Sequence, residues 1–285
     1  MCPKRGTRDF QMFANREIIY IYDGTFDGFL CAAFESFTRK EIPADILDRK
    51  ETQAELFEYL TIISDIKKSV RVKKSVLNKM GYEAFRMLEN AMLTCLEHKE
   101  LKMLEFMRLG FKAGPKVTKI LNNPAVFDIT KAIRQMIGEA RRFLGFIRFG
   151  AYEGVLIAEI NPKNRVLEHI APHFAHRMSG ERFIIFDRTH HLICAYAKGR
   201  YIITDAYNIE MPRADGQELL YRGLWKMFYD NIAVEERVNP LRRMTFLPKR
   251  YRRDMTEFQT GTEIKSANII NEKKAEPASP PGKKQ

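Results

Sequence analysis

The hydrophobic period of this chain changes near Gly145, and no other feature restricts its fold as much. From about Lys50 to Phe143 apolar residues recur at helical spacing. "ETQAELFEYLTIISDI" places Leu56, Tyr59, Leu60 and Ile63 on one face, and "GYEAFRMLENAMLTCLEH" repeats the spacing. "KELKMLEFMRLGFKAG" ends on Gly110 or Gly114, either of which can close a helix. A further helix is signalled by Asn123 as a cap, Pro124 in the first turn, and a stripe of Val126, Ile129, Ile133, Met136, Ile137, Ala140 and Leu144. Past Gly145 the segments are short, rich in β-branched and aromatic residues, and separated by polar turns: "GVLIAEI", "RVLEHI", "RFIIFDR", "HLICAYA" and "RYIITDA". A helix near "APHFAHRM", with Pro172 in its first turn, interrupts them, and "GQELLYRGLWKMFYDNIA" supplies a last one. The expected class is α+β: a helical N-terminal half packed on a small, mostly antiparallel sheet with a C-terminal helix.

One α+β domain is expected over 17–258. The first 16 residues are polar and irregular, and 259–285 ends in "NEKKAEPASPPGKKQ", which has almost nothing to bury, so disorder is expected at both ends. The domain opens on "EIIYIYDGTFDGFL", a strand over Ile18 to Tyr22 that stops at Asp23-Gly24 before a helix. A phosphate loop has that shape, but Asp23 and Asp27 would set negative charge where the phosphate sits, and no Gly-Lys-Ser/Thr follows. Gly24 supplying a special backbone angle, with Thr25 or Asp27 capping the helix, accounts for the same residues. A carboxylate that meets a base edge or a metal is the other reading of this turn.

Charge points to a polyanionic partner. Lys and Arg number 48 against 36 Asp and Glu, for a net charge of +12 and a pI near 9.5. Two runs concentrate the excess. Residues 66–80, "IKKSVRVKKSVLNKM", hold six basic residues and no acidic one, with Val70, Val72, Val76 and Leu77 interleaved. Residues 239–253, "NPLRRMTFLPKRYRR", again hold six and no carboxylate, beside Leu241, Met244, Phe246, Leu247 and Tyr251. The first could be a solvated helix face; the second is too apolar for a mere solvated tail. The second is expected to dock through Leu241, Phe246 and Leu247 while Arg242, Arg243, Lys249, Arg250 and Arg252 point at a nucleic-acid backbone. "GEARRFLGFIRFG" adds Arg141, Arg142 and Arg148 around Phe143, Phe146 and Phe149, where arginine could grip phosphate and rings could stack on unpaired bases. Core packing is the alternative for these rings.

Catalytic signals are sparse. There is no Gly-x-Ser-x-Gly elbow, Walker motif or His-Glu-x-x-His. His169, His173 and His176 cluster, but His169 is expected on a strand and no Cys or carboxylate completes a zinc set, so no metal is expected. Cys2, Cys31, Cys95 and Cys194 are scattered without a C-x-x-C, which argues against disulfides, a zinc ribbon or an iron–sulfur cluster held by this chain alone. His173 could contact phosphate or move a proton beside Arg177, or be a buried imidazole with its hydrogen bonds met. Glu139, Glu153, Asp187 and Asp205 are carboxylates that a nuclease or glycosylase could use. No cofactor is implied. The start lacks a signal-peptide apolar core and no stretch reaches the roughly 18 apolar residues of a membrane span, so a cytoplasmic location without membrane contact is expected.

Taken together, "YIYDGTFDGFLCAAFE", "EARRFLGFIRF", "APHFAHRM", "IIFDRTHH", "LWKMFYDNIAVEERVNP" and "FLPKRYRRDMTEF" resemble a bacterial family described as DNA repair or DNA metabolism proteins, whose core is a domain of unknown function. The resemblance covers about residues 18–258. Its motif positions fall on Asp23, Gly24 and Gly28; on Glu139, Arg148 and Phe149; on His173, Phe174 and Arg177; on Asp187; and on Arg237, Asn239, Pro240, Pro248, Lys249, Arg250 and Tyr251. His176 stands where that family often has a carboxylate. Relatives that lie beside a radical-SAM protein, or are fused to uracil-DNA glycosylase-like domains, imply a DNA substrate and a radical-SAM partner. The resulting expectation is a protein that binds damaged or unpaired DNA through Arg148, Phe149, His173, Arg177, Arg242, Arg243, Lys249, Arg250 and Tyr251. Two alternatives stay open. One is an enzyme of glycosylase or nuclease type, with His173, Arg177, Glu139 and Asp187 as candidates for its chemistry; the other is an RNA-binding or scaffold module. Oligomeric state is not legible.

Overall fold

Helices and sheets alternate along the chain, in a computed structural model that describes residues 14–15, 17–49, 58–152, 154–206, 247–252 and 255. The chain divides into two compact units, residues 1–138 and 139–285. Both parallel and antiparallel strand pairs occur, so the mixed α and β class expected from the change of period is the class observed.

The first unit is built around strand β2 (Ile18–Tyr22), whose residues 19–22 are buried. It pairs in parallel with β4 (Asp45–Asp48) on one side and β5 (Glu58–Thr61) on the other. Two residue pairs, Ala14–Asn15 (β1) and Glu41–Ile42 (β3), form a further small ladder. Parallel strands need crossovers, and α1 (Phe26–Arg39) supplies the first. Helix α2 (Ile66–Met92) packs on α1 and on α3 (Lys99–Ala113). It is two helical segments joined across a kink at Gly81, where φ is +85°. Phe29, Leu30, Ile46, Val76, Met80, Leu88, Met103 and Phe106 are fully enclosed. Two tyrosine hydroxyls reach buried carboxylates, Tyr20 to Glu41 at 2.5 Å and Tyr22 to Glu100 at 2.8 Å.

The expected helix over "ETQAELFEYLTIISDI" is corrected from residue 58 onward; residues 51–57 lie outside the described residues. Glu58–Thr61 is an edge strand, and the next helix begins only after Asp65, whose carboxylate caps Lys67 N–H. Two adjacent apolar residues, Tyr59 and Leu60, fit a short strand as well as one turn of a helix, and pairing with β2 decides for the strand. The cap expected at Asn123 is present: its side-chain oxygen accepts from Ala125 and Val126 N–H and opens α4 (Pro124–Phe146). Val126, Ile129, Ile133, Met136 and Ala140 of the expected stripe are buried.

The second unit carries a five-stranded sheet in the order β10-β9-β8-β7-β6. These strands are Gly150–Tyr152 (β6), Val155–Ile160 (β7), Phe183–Asp187 (β8), Leu192–Ala197 (β9) and Arg200–Asp205 (β10). Three pairs are antiparallel; β7 and β8 are parallel. The connection between those two is α5 (Leu167–Arg177), which replaces the strand expected over "RVLEHI". Leu167, Ile170, Ala171 and Phe174 are buried at helical spacing, so Pro172 lies inside the helix, not in its first turn, and His169 lies on the helix. A four-residue helix, α6 (Lys249–Arg252), is described beyond the sheet. The expected helix over "GQELLYRGLWKMFYDNIA" and both expected disordered ends lie outside the described residues. Among the described residues no helix is long and apolar enough to cross a membrane.

Candidate nucleic-acid interface

Glu139 is the most heavily bonded carboxylate among the described residues of the second unit. Its side chain is 2% exposed and accepts from Lys163 N–H at 3.0 Å, Asn164 N–H at 3.0 Å and the Asn164 amide at 2.6 Å, while Arg250 closes an ion pair at 3.0 Å. The pair therefore ties α6 and the loop before α5 to the C-terminal part of α4. Arg250 also lies over the Tyr251 ring, 4.5 Å from its centroid, and donates to the Tyr251 hydroxyl. Tyr251 is buried, edge-on to Phe143 at 5.1 Å and beside Phe146 at 5.3 Å. This ring is a core ring rather than a platform for a base.

Other expected contacts divide in the same way. Phe149 packs edge-on to Phe174 at 5.3 Å and to Phe183 at 6.0 Å. Arg148 donates back to the carbonyls of Gly145 and Ile147 and so turns the chain from α4 into β6. Asp187, fully buried, accepts from Thr189 and His190 N–H and meets His190 Nδ1 at 2.7 Å, which ties the β8–β9 turn. Glu139 and Asp187 thus hold local structure, each with its oxygens occupied. His173 and Arg177 are exposed one turn apart on α5, with Lys249 exposed on α6. Arg252 donates twice to the Leu247 carbonyl. Arg237, Asn239, Pro240, Arg242 and Arg243 lie outside the described residues.

The turn at "YDGTFDG" is explained by its own packing. Gly24 has φ of +75°, and a Cβ there would sit 2.4 Å from the Asp48 carboxylate; at Gly28 it would sit 2.1 Å from Asp23 Oδ1. Asp23 accepts from the Thr25 hydroxyl and Ser64 hydroxyl, each at 2.6 Å, and Thr25 in turn caps Gly28 N–H. Burial would raise the Asp23 carboxyl, but the Ser64 and Thr25 bonds outweigh it and hold it below the usual carboxylate range. Among the described residues no three His, Cys, Asp or Glu side chains gather as a metal site would require.

The first basic run is the stronger candidate for polyanion contact. It forms the N-terminal part of α2, where Lys67, Arg71, Lys73, Lys74 and Lys79 are exposed and Val72, Val76 and Met80 face the core. Val72 and Val76 explain why such a charged segment is still apolar enough to pack. Rings support several of its cations: Lys68 and Arg71 lie over Phe34 at 5.6 and 5.7 Å, Lys73 over Phe85 at 5.0 Å and Lys79 over Phe111 at 5.5 Å. Lys68 alone of these is tied to a carboxylate in a close pair, Glu35 at 2.7 Å. Residues overlooked in the sequence are Arg108 and Lys112 of α3, which extend this cationic surface; their only signal was "RLGFK", a pair of cations one helical turn apart around Phe111.

A family model described as a domain of unknown function, DUF4130, matches residues 97–257, more than half of the chain, and the chain belongs to that family. The basic part of α2 precedes the matched stretch. No curated protein matches the chain.

Proposed function

We propose that this member of the DUF4130 family is a DNA-binding protein that handles damaged or unpaired DNA, with a radical-SAM protein as its partner. The observation that carries the reading is the face of α2: six cations in fifteen residues, no acidic residue among them, several of them held over aromatic rings. Charge of this kind binds phosphate regardless of sequence and makes affinity salt-dependent. The DNA substrate and the radical-SAM partner come from the resemblance of the chain's short motifs to DNA repair proteins. The bonds made by Glu139 and Asp187 favour a positioning role for both over acid–base work, which supports binding over catalysis by this chain.

The test is an anisotropy titration of the purified protein against single-stranded, matched duplex, uracil-containing and abasic DNA and an RNA control, each sample then run on a denaturing gel. Tighter binding to unpaired or damaged DNA than to RNA, with strands intact, is expected. Strand cleavage, or release of a base revealed by alkali, would replace this reading with the enzyme alternative; preference for RNA would replace it with the RNA-binding one.

A further inference from the structure

Helices α1, α2 and α3 line an open pocket of about 450 Å³, inside the range of roughly 300–1,000 Å³ typical of small-ligand sites. Each helix contributes one side. From α1 come Phe34, Phe37 and Thr38; from α2, Arg71, Ser75 and Lys79; from α3, Arg108, Phe111 and Lys112. The sets repeat at three- and four-residue intervals, so one face of each helix is committed to the cavity. Phe37 and Phe111 meet edge-on at 5.2 Å, leaving a wall of rings. None of the described lining residues is acidic, yet four are cations.

That lining is unusual for either simple ligand. A purely apolar guest would gain nothing from four cations, and a purely ionic one nothing from three phenyl rings. Two of the cations, Arg71 and Lys79, rest over ring faces, which orients them without a carboxylate. Burial holds the Arg108 guanidinium below its ordinary value, against the influence of Glu105. A partly desolvated cation gains more from an incoming anion than one in open water. The neighbouring acid Glu35 is engaged by Lys68 at 2.7 Å and Arg39 at 3.4 Å.

We propose that this cavity takes one unpaired nucleotide of a DNA strand, its base against Phe34, Phe37 and Phe111 and its phosphate among Arg71, Lys79, Arg108 and Lys112. The assignment rests on the DNA-binding reading above and names the place where an extruded base is received. Ring stacking tolerates any base, so the site selects for being unpaired rather than for sequence. The α2 cations outside the cavity, Lys67 and Lys74 among them, then follow the flanking phosphates.

Photocrosslinking tests it with the full chain. A single-stranded 5-iodouracil oligonucleotide is irradiated with the protein, and the attached peptide is mapped by mass spectrometry. Attachment to Phe34, Phe37 or Phe111 is expected, competed by unlabelled single strand. Ser75→Trp, which fills the cavity from α2, and Lys79→Ala should each remove the crosslink and weaken single-strand binding roughly tenfold. Lys131→Ala removes the same charge from α4 and should leave the crosslink in place. Binding that persists with attachment elsewhere, or with attachment unchanged in Lys79→Ala and Ser75→Trp, overturns the cavity assignment and leaves the DNA-binding reading intact. Failure to bind any DNA overturns both. Attachment to an iodouridine RNA in preference to the DNA overturns the choice of strand.

Discussion

Arg250 reaches the buried Glu139 carboxylate at 3.0 Å, and through it a residue of the second basic run is spent on structure. The same carboxylate receives the Lys163 and Asn164 amides. One charge pair thus fixes two chain segments that are distant in sequence.

Replacing Glu139 with Ala should destabilise the protein by about 2–4 kcal/mol, because two backbone amides, the Asn164 amide and a guanidinium lose their shared acceptor. Arg250→Ala should cost less, since the backbone donors still satisfy the carboxylate. Urea melts monitored by circular dichroism measure both. A catalytic Glu139 would behave otherwise: Glu139→Gln would leave stability near wild type and abolish a reaction.

Gly28→Ala should destabilise by about 1–3 kcal/mol, because its Cβ would meet Asp23 Oδ1 at 2.1 Å. Removing the obstacle tests the cause. In a cycle with Asp23→Ala, the cost of Gly28→Ala should shrink, giving a coupling of about 1 kcal/mol or more. Gly81→Ala, where φ is +85° but nothing lies closer than 3.7 Å, should cost only the backbone strain.

Asp23 and Glu35 both titrate below their ordinary values in the folded chain. For Glu35 the Lys68 hydrogen bond is the main cause, opposed by burial and aided by Arg39. A carboxyl depressed by folding contributes stability that is fully present above its unfolded value and lost as pH falls through the folded one. Stability should therefore hold at and above about pH 5 and decline on further acidification. Asp23→Asn and Glu35→Gln should each flatten that decline in denaturant melts taken across the acid range.

Thiol reactivity should separate the cysteines. Cys31 and Cys194 are buried, and burial pushes the Cys194 thiol up to about 11, whereas Cys95 is exposed. Alkylation near neutral pH followed by peptide mapping should modify Cys95 in the native protein, and Cys31 and Cys194 only after denaturant is added. Rapid native labelling of Cys194 would contradict the sheet register that encloses it between β8 and β10.

Where local signals agreed with burial, the fold was legible. Asn123 with Pro124, the stripe from Val126 to Ala140, and the alternating strands after Gly145 are all sequence features with one cheap structural solution. The errors came where pairing partners decide. Glu58–Thr61 is a strand because β2 offers it an open edge, and Leu167–Arg177 is a helix because β7 and β8 run parallel and need a crossover. Of the candidate site, the basic run at 66–80 was visible as charge. Its relation to Phe34, Arg108 and Phe111 was not, because those residues converge only when α1, α2 and α3 pack. Tyr251 and Phe149 looked like stacking platforms for the same reason: an aromatic beside arginine reads alike whether the ring is covered or open.

The central claim, that α2 presents its cations to a DNA strand, is tested most directly by the slope of log affinity against log salt for single-stranded DNA, measured on the wild type and on Lys67→Ala/Lys74→Ala. A steep negative slope is predicted for the wild type, becoming shallower by about 0.7 for each α2 cation removed. A flat dependence, or a double variant with affinity and slope both unchanged, would contradict it.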